Sequence, residues 1–289
     1  MEAIKRIGLG AAGLLLFFFC TSSFALDKGI YVTQSSLENT NTLQYFIKRA
    51  KEVGINTFIV DLHQTSKRYE RNIQRLHDHG IRYVARIVVF PHGATRAQMH
   101  SEDYWRKRYR LVQHAINLGA HEIQLDYIRY NTQVGPSKQN IADVHRVIRW
   151  FKQQTARHNV PLQIDVFGET SFKPSYSIGQ DVQAFANTID AVNPMVYPSH
   201  YEPHDIHTAK PYQTVYKSLQ AMKAQFDGQP PFRINAFIEA TNFRSPGHGQ
   251  QKMNYLHQQI KAAEDSGVNG WYVWSARNQY DHLFQLLSR

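Results

Sequence analysis

Glu122-Ile123-Gln124-Leu125-Asp126-Tyr127-Ile128 decides the fold. The run is short and β-rich, and it carries a carboxylate directly after an apolar residue. A helical pattern over Glu102 to Leu118 precedes it, and Gly119 sits where a helix wants a left-handed stop. A longer helical pattern, near Asn140 to His158, follows it. The same grammar repeats outward in both directions. Before it come strands at Gly29–Thr33, Thr57–His63 and Tyr83–Phe90, with helices near Asn41–Val53 and Tyr69–His79. After it come strands at Leu162–Phe167, Ala191–Tyr197, Phe232–Glu239 and Gly270–Ser275. Their helices lie near Val182–Asn187, Tyr212–Phe226, Gln250–Ser266 and Tyr280–Leu287. Gly54, Gly80 and Gly267 repeat the helix-stop signal. Strands alternating with helices imply a parallel sheet. Eight such units, with no linker long enough to divide them, predict an α/β fold: a single closed (β/α)8 TIM barrel. The alternative, an open doubly wound sheet, would carry a glycine-rich phosphate turn after its first strand. Thr33-Gln34-Ser35-Ser36 has no such glycines.

The barrel is expected over residues 26–289. Residues 1–25 read differently: Lys5 and Arg6, an apolar run from Ile7 to Phe19, then Ser23-Phe24-Ala25 make a secretory signal peptide cut after Ala25. An exported protein, periplasmic or secreted, is expected, with no stable membrane insertion after cleavage. Cys20, the one cysteine, leaves with the signal, so the mature chain has no disulfide or thiol chemistry. The formal charge of +10 suits anionic partners such as acidic polysaccharide, cell-wall polymer or membrane surface, and suits a dispersed solvated surface equally well. The basic residues are spread over helix-like segments without a dense run of basic and aromatic residues, so nucleic acid is not expected.

In a TIM barrel the chemistry sits at the C-terminal ends of the strands. Alternation along each strand then selects the residues of the mouth. They are Tyr31 and Thr33, Asp61 and His63, Arg86, Gln124 and Asp126, Gln163 and Asp165, Asn193 and Tyr197, Asn235 and Glu239, and Trp274 or Ser275. Asp61, Asp126 and Asp165 all end apolar runs, and a buried carboxylate needs a partner or a task. Ion pairs with Arg86 or Arg129 are one explanation; three acids on one rim favour catalysis. Asp126 and Asp165 belong to neighbouring strands, which permits the separation of about 5–5.5 Å found in retaining glycosidases. Glu239 is a competing acid, and Glu169, just past strand five, a fourth. Tyr127, Tyr130, Phe167, Tyr197, Tyr201, Trp271 and Trp274 crowd the same region, and flat apolar faces suit sugar rings. His200, His204 and His207 are close in sequence but match no metal-ligand motif, so no metal and no cofactor is expected. Asp181, after Gly179-Gln180, reads as a helix N-cap. No P-loop, nucleophile elbow or dinucleotide fingerprint occurs.

The motifs also form a recognisable series. It runs from Lys28-Gly29-Ile30-Tyr31-Val32-Thr33 and Arg86-Ile87-Val88-Val89-Phe90 through Glu122 to Tyr130, Asp165-Val166-Phe167-Gly168 and Ile178-Gly179-Gln180-Asp181. It continues with Asn193-Pro194-Met195-Val196-Tyr197-Pro198-Ser199-His200-Tyr201, Pro211 to Tyr216, and Trp274-Ser275-Ala276. Over nearly the whole mature chain this resembles a bacterial glycoside hydrolase family with a (β/α)8 barrel, distantly similar to α-amylase-type barrels. The resemblance implies family acids at Asp61, Asp126, Asp165 and Asp181, and rim positions at Arg129, Asn193, Tyr197, His200 and Tyr201. Three departures stand out: Asn131 where the family has Pro, a short Pro91-His92-Gly93 in place of a longer insert, and Glu239-Ala240 where the family tends to Gln-Asp.

These readings converge on cleavage of glycosidic bonds in a polysaccharide or oligosaccharide, anionic ones included. Asp126 is then the expected nucleophile and Asp165 the acid/base, with Glu239 competing. Tyr31, Asp61, His63, Arg86, Arg129, Asn193, Tyr197, His200, Tyr201 and Trp274 are the expected substrate contacts. Two alternatives remain: a non-catalytic carbohydrate-binding barrel with its carboxylates paired to Arg86 and Arg129, and a metal-dependent hydrolase built on His63, Asp61 and the His200 loop.

Overall fold

A computed structural model describes residues 26–289; the expected signal peptide lies outside the described residues. Eight parallel strands close on themselves in sequence order. They are β1 (Asp27–Val32), β2 (Thr57–Asp61), β3 (Arg82–Val88), β4 (Glu122–Asp126), β5 (Leu162–Phe167), β6 (Ala191–Met195), β7 (Arg233–Glu239) and β8 (Gly270–Trp274). β1 pairs with β8, so the (β/α)8 barrel is complete.

The helices fall where the apolar periodicity places them. Thr40–Glu52, Lys67–Asp78, Glu102–Asn117, Lys138–Ala156, Pro211–Ala224 and Gly249–Asp265 form the ring around the sheet. Each buries one stripe; in Lys67–Asp78 it is Tyr69, Asn72, Ile73 and Leu76, spaced three and four apart. Ser66 caps that helix by accepting from Tyr69 N, and Gly80 ends it at φ 70°. Three short helices escape any periodicity: Gln34–Glu38, Arg96–Met99 and His204–Ala209. The last lies just after the His200 loop.

The main apolar core lies between sheet and helices. Inside the barrel a smaller cluster of Tyr31, Ile59, Val84, Tyr197, Phe237 and Tyr272 shares the space with polar side chains. At the N-terminal end Arg82 pairs with Asp27 and Glu122, and Arg233 pairs with the same two acids. Gln163 donates to Glu122 at 2.7 Å, Asn193 donates to Gln163 at 3.1 Å and to Asp165 at 2.9 Å. A column of hydrogen bonds thus runs up the barrel and ends on the Asp165 carboxyl. Asn193, an expected substrate contact, is buried in this column beneath the mouth.

Candidate active site

Register sets the floor of the site. Asp61 lies opposite Arg86 on adjacent strands, and Asp165 opposite Asn193. Leu125 opposite Ile164 brings the next residues, Asp126 and Asp165, to the same height. Arg86 is the hub. It binds Asp61 through Nη1 and Asp126 through Nη2 and Nε, and its Nε is 3.9 Å from Asp165. Tyr31 lies under the guanidinium, 5.3 Å away, and donates its hydroxyl to Asp61. His63 Nε2 is 3.3 Å from the same Asp61 oxygen.

Asp61 and Asp165 are shifted in opposite directions. Burial works against the Asp61 charge, but Arg86, His63 and Tyr31 outweigh it and hold its pKa below the usual carboxylate value. For Asp165 burial and then the Asp126 charge push the pKa well up, against only partial relief from Arg86 and Asn193. The neighbour that raises Asp165 is Asp126, which is itself bound by Arg86.

A cavity of about 670 Å³ opens beside this pair. Asp126, Asp165 and Arg86 line it with Tyr127, Arg129, Phe167, Met195, Tyr197, Phe237 and Trp274. Glu169, Lys173, His200, Tyr201 and Glu202 complete its walls. Tyr197 and Trp274 stack with centroids 5.4 Å apart, a flat apolar face of the kind sugar rings pack on. Burial, then Arg244 and His204, depress the His200 pKa, so this ring stays neutral at pH 7 and offers one donor and one acceptor. Tyr127, next to Asp126, has φ 53°, a strained backbone for an aromatic residue, and its N–H donates to Asp126. A second hollow of about 480 Å³ holds Tyr31, Asp61 and His63 with Gln34 and Glu38. The expected contacts thus divide between two hollows on either side of Arg86.

Several expectations change. Glu239 is fully buried and does not line the cavity; it accepts from Ser199 N at 2.9 Å, Ser199 Oγ at 2.8 Å and Tyr255 hydroxyl at 2.6 Å. It anchors the turn that carries His200 and Tyr201. Trp271 faces outward to Glu264, and Tyr130 is buried against Asp143, so neither is at the mouth. Asp181 is the helix N-cap that the sequence indicates, accepting from Gln183 N and Ala184 N at the start of Val182–Phe185. Arg129, an expected ion-pair partner, makes no salt bridge among the described residues; it lies 5.3 Å from the rings of both Tyr127 and Phe167. His204 and His207 bond the Tyr201 carbonyl and the Thr214 hydroxyl. Among the described residues no three acids, histidines or cysteines gather as metal ligands. Lys173, Met195, Glu202 and Phe237 were not anticipated in the mouth. Phe237 and Met195 had a signal, Phe237 sharing a strand face with Asn235 and Met195 with Asn193 and Tyr197.

Gly168 keeps the cavity wall in place. A β-carbon there would come 2.1 Å from the Tyr201 hydroxyl and 2.7 Å from the Met195 carbonyl. Gly168→Ala is expected to displace Tyr201 and to cost roughly 1–3 kcal/mol by overpacking. Thermal melting checks this; an unchanged melting temperature would contradict the packing.

Solved structures share the architecture. The spore cortex-lytic enzyme SleL of Bacillus cereus superposes with a TM-score of 0.63 at 13% identity, over 91% of this chain and 73% of that one. The endo-β-1,4-mannanase of Thermotoga petrophila gives 0.65 at 10%, over 92% and 76%. A chitinase of Chromobacterium violaceum gives 0.62 at 11%, over 91% and 98%. At such identity the likeness is one of fold. No curated protein sequence matches the chain. A family match covers residues 92–280, leaving Lys28 to Thr33 and Arg86 to Phe90 outside it, so it spans less of the chain than the motif series does. It nonetheless takes in well over half of the residues, and the chain belongs to the family described as "Putative glycosyl hydrolase domain".

Proposed function

We propose that the protein hydrolyses glycosidic bonds of a polysaccharide or oligosaccharide in the cavity above β4 and β5. The observation that carries this reading is the Asp126–Asp165 pair, which sits on adjacent strands around Arg86 and lines an open, aromatic-lined cleft. Asp126 is the carboxylate that faces the anomeric carbon, as nucleophile or as stabiliser of the oxocarbenium-like transition state. Asp165 is the proton store of the pair, kept protonated as catalytic acids are when burial and a like charge raise their pKa. Asp165 gives that proton to the departing oxygen as the acid/base of the pair. No cofactor is needed for this chemistry. The N-terminal Lys5, Arg6 and the apolar run after them support action outside the cytoplasm, periplasmic or secreted.

One observation favours a second reading, a barrel that binds glycan without cleaving it. Arg86 pairs with both Asp61 and Asp126, which a purely structural role for these acids would also produce. One experiment separates the two. The protein and its Asp126→Asn/Asp165→Asn variant are incubated with chitin, β-1,4-mannan, spore cortex and acidic polysaccharides, and new reducing ends are measured. Release by the wild type alone supports hydrolysis. Binding without release by either protein moves the binding barrel ahead, and equal release by both removes the two aspartates from the mechanism.

A further inference from the structure

Arg129 brings to the cavity a charge that the protein leaves unmatched. Its guanidinium lies 5.3 Å from the ring of Tyr127 and 5.3 Å from that of Phe167, so aromatic faces hold the plane. Nη1 donates to the Tyr130 carbonyl at 2.9 Å and fixes the remaining rotation. Nε and Nη2 have no partner among the described residues, and Arg129 lines the cavity. Asp126 is the acid whose field reaches it, and Asp126 is already bound by Arg86. Burial disfavours the charge of Arg129, a cost that an incoming anion offsets.

The other charges on these walls narrow the reading. Glu202 pairs with His204 at 2.5 Å. Glu169 accepts from Ser175 Oγ at 3.0 Å and sets a negative limit on the wall beyond β5. Lys173 lines the same cavity and makes no salt bridge among the described residues. Neutral hydroxyls need no arginine, since amides and hydroxyls serve them at lower desolvation cost. A planar fork held rigid with two donors free matches a planar carboxylate.

We propose that Arg129 is the subsite for an acidic sugar unit, taking the sugar carboxylate through Nε and Nη2, with Lys173 adding to the field. The substrate is then a carboxylate-bearing glycan rather than a neutral one. This rests on the cavity being a glycan cleft.

The test reads binding without turnover. Protein labelled with ¹⁵N at arginine is titrated with glucuronate, galacturonate and N-acetylmuramate, and with glucose, galactose and N-acetylglucosamine as neutral counterparts. Glucose 6-phosphate is a separate arm. The acids are expected to move one arginine Nε–H signal and to bind about tenfold or more tightly than their counterparts. Arg129→Gln is expected to remove that signal and the preference, and Arg129→Lys to keep only part of the preference. The proposal is overturned if acids and neutral sugars bind alike, if none binds up to its solubility, or if a folded Arg129→Gln protein keeps the preference. Binding of glucose 6-phosphate alone overturns the carboxylate assignment. Should Arg129→Gln fail to fold, the paired comparison on the wild type still decides. A barrel that binds the acids and cleaves nothing keeps this inference and loses the hydrolase reading; one that cleaves neutral glycans and ignores the acids does the reverse.

Discussion

Asp126→Asn is expected to lower kcat by about 10³-fold or more on any glycan the wild type cleaves, with the fold intact. Asparagine keeps the shape of aspartate and can still accept from Arg86 through its amide oxygen, so the hub loses a charge but not a contact. What disappears is the negative charge next to the position of the anomeric carbon. The pH profile gives a second readout. Burial and the Asp126 charge together hold the Asp165 pKa well up. Wild-type activity is expected to fall on the alkaline side as Asp165 loses its proton. That step belongs to the coupled pair and not to Asp165 alone. In the Asp126→Asn protein the charge that raises Asp165 is gone, so its pKa drops and the alkaline limb of any residual activity moves to lower pH. Burial, the larger cause, remains, so the pKa stays above the ordinary carboxylate value. A kcat within about threefold of wild type, with an unmoved alkaline limb, would remove Asp126 from the chemistry.

The barrel was legible because its signals are periodic and local. Apolar residues three and four apart mark the helices, short β-branched runs mark the strands, and glycines at φ near 70°, such as Gly54 and Gly80, mark the joints. The strand ends were less legible. His63 and Tyr197 continue the β pattern of their strands, but β2 ends at Asp61 and β6 at Met195. Alternation reports which side a residue faces, and it does not report where the ladder of hydrogen bonds stops. The helices Gln34–Glu38 and His204–Ala209 are too short to complete a periodic stripe.

The site was legible in its acids and less so in its walls. Asp61, Asp126 and Asp165 end on one floor because Asp61 and Asp126 occupy the last inward positions of β2 and β4, and Asp165 the last but one of β5. Glu239 closes β7 on the same face as Phe237, yet its carboxylate is held by Ser199 and Tyr255. A carboxylate at the last residue of a strand goes to the donors that satisfy it, and those donors come from a turn 40 residues upstream and a helix 16 residues downstream. Lys173 and Glu202 sit on connections with no periodicity, so no local pattern points to them. The placing of Asp126 beside Asp165 likewise depends on register, which pairs Leu125 with Ile164 and cannot be read from either strand alone.

Arg86→Met is expected to destabilise the fold by roughly 3–5 kcal/mol, the usual cost of removing one partner from a buried ion pair. Methionine fills much of the volume but leaves Asp61 and Asp126 without their cation, in a place where side-chain exposure is 4% and 9%. For a barrel of this size each kcal/mol moves the melting temperature by about 2–4 °C, so a drop of several degrees to well over ten is expected near pH 7. The sign of the pH dependence follows from Asp61. Its folded pKa lies below the ordinary value, so its stabilising contribution is present above the unfolded pKa and is lost as pH falls through the folded one. Arg86→Met removes that contribution and raises the pKa of the stranded Asp61. The deficit should therefore be largest at neutral pH and shrink on acidification, as Asp61 takes up a proton. Adding Asp61→Asn and Asp126→Asn to the Arg86→Met protein should restore part of the lost stability, because a buried amide costs less than a buried unpaired charge. A melting temperature within about 2 °C of wild type at neutral pH, or a deficit that grows towards acid, would mean that Arg86 does not hold this floor together.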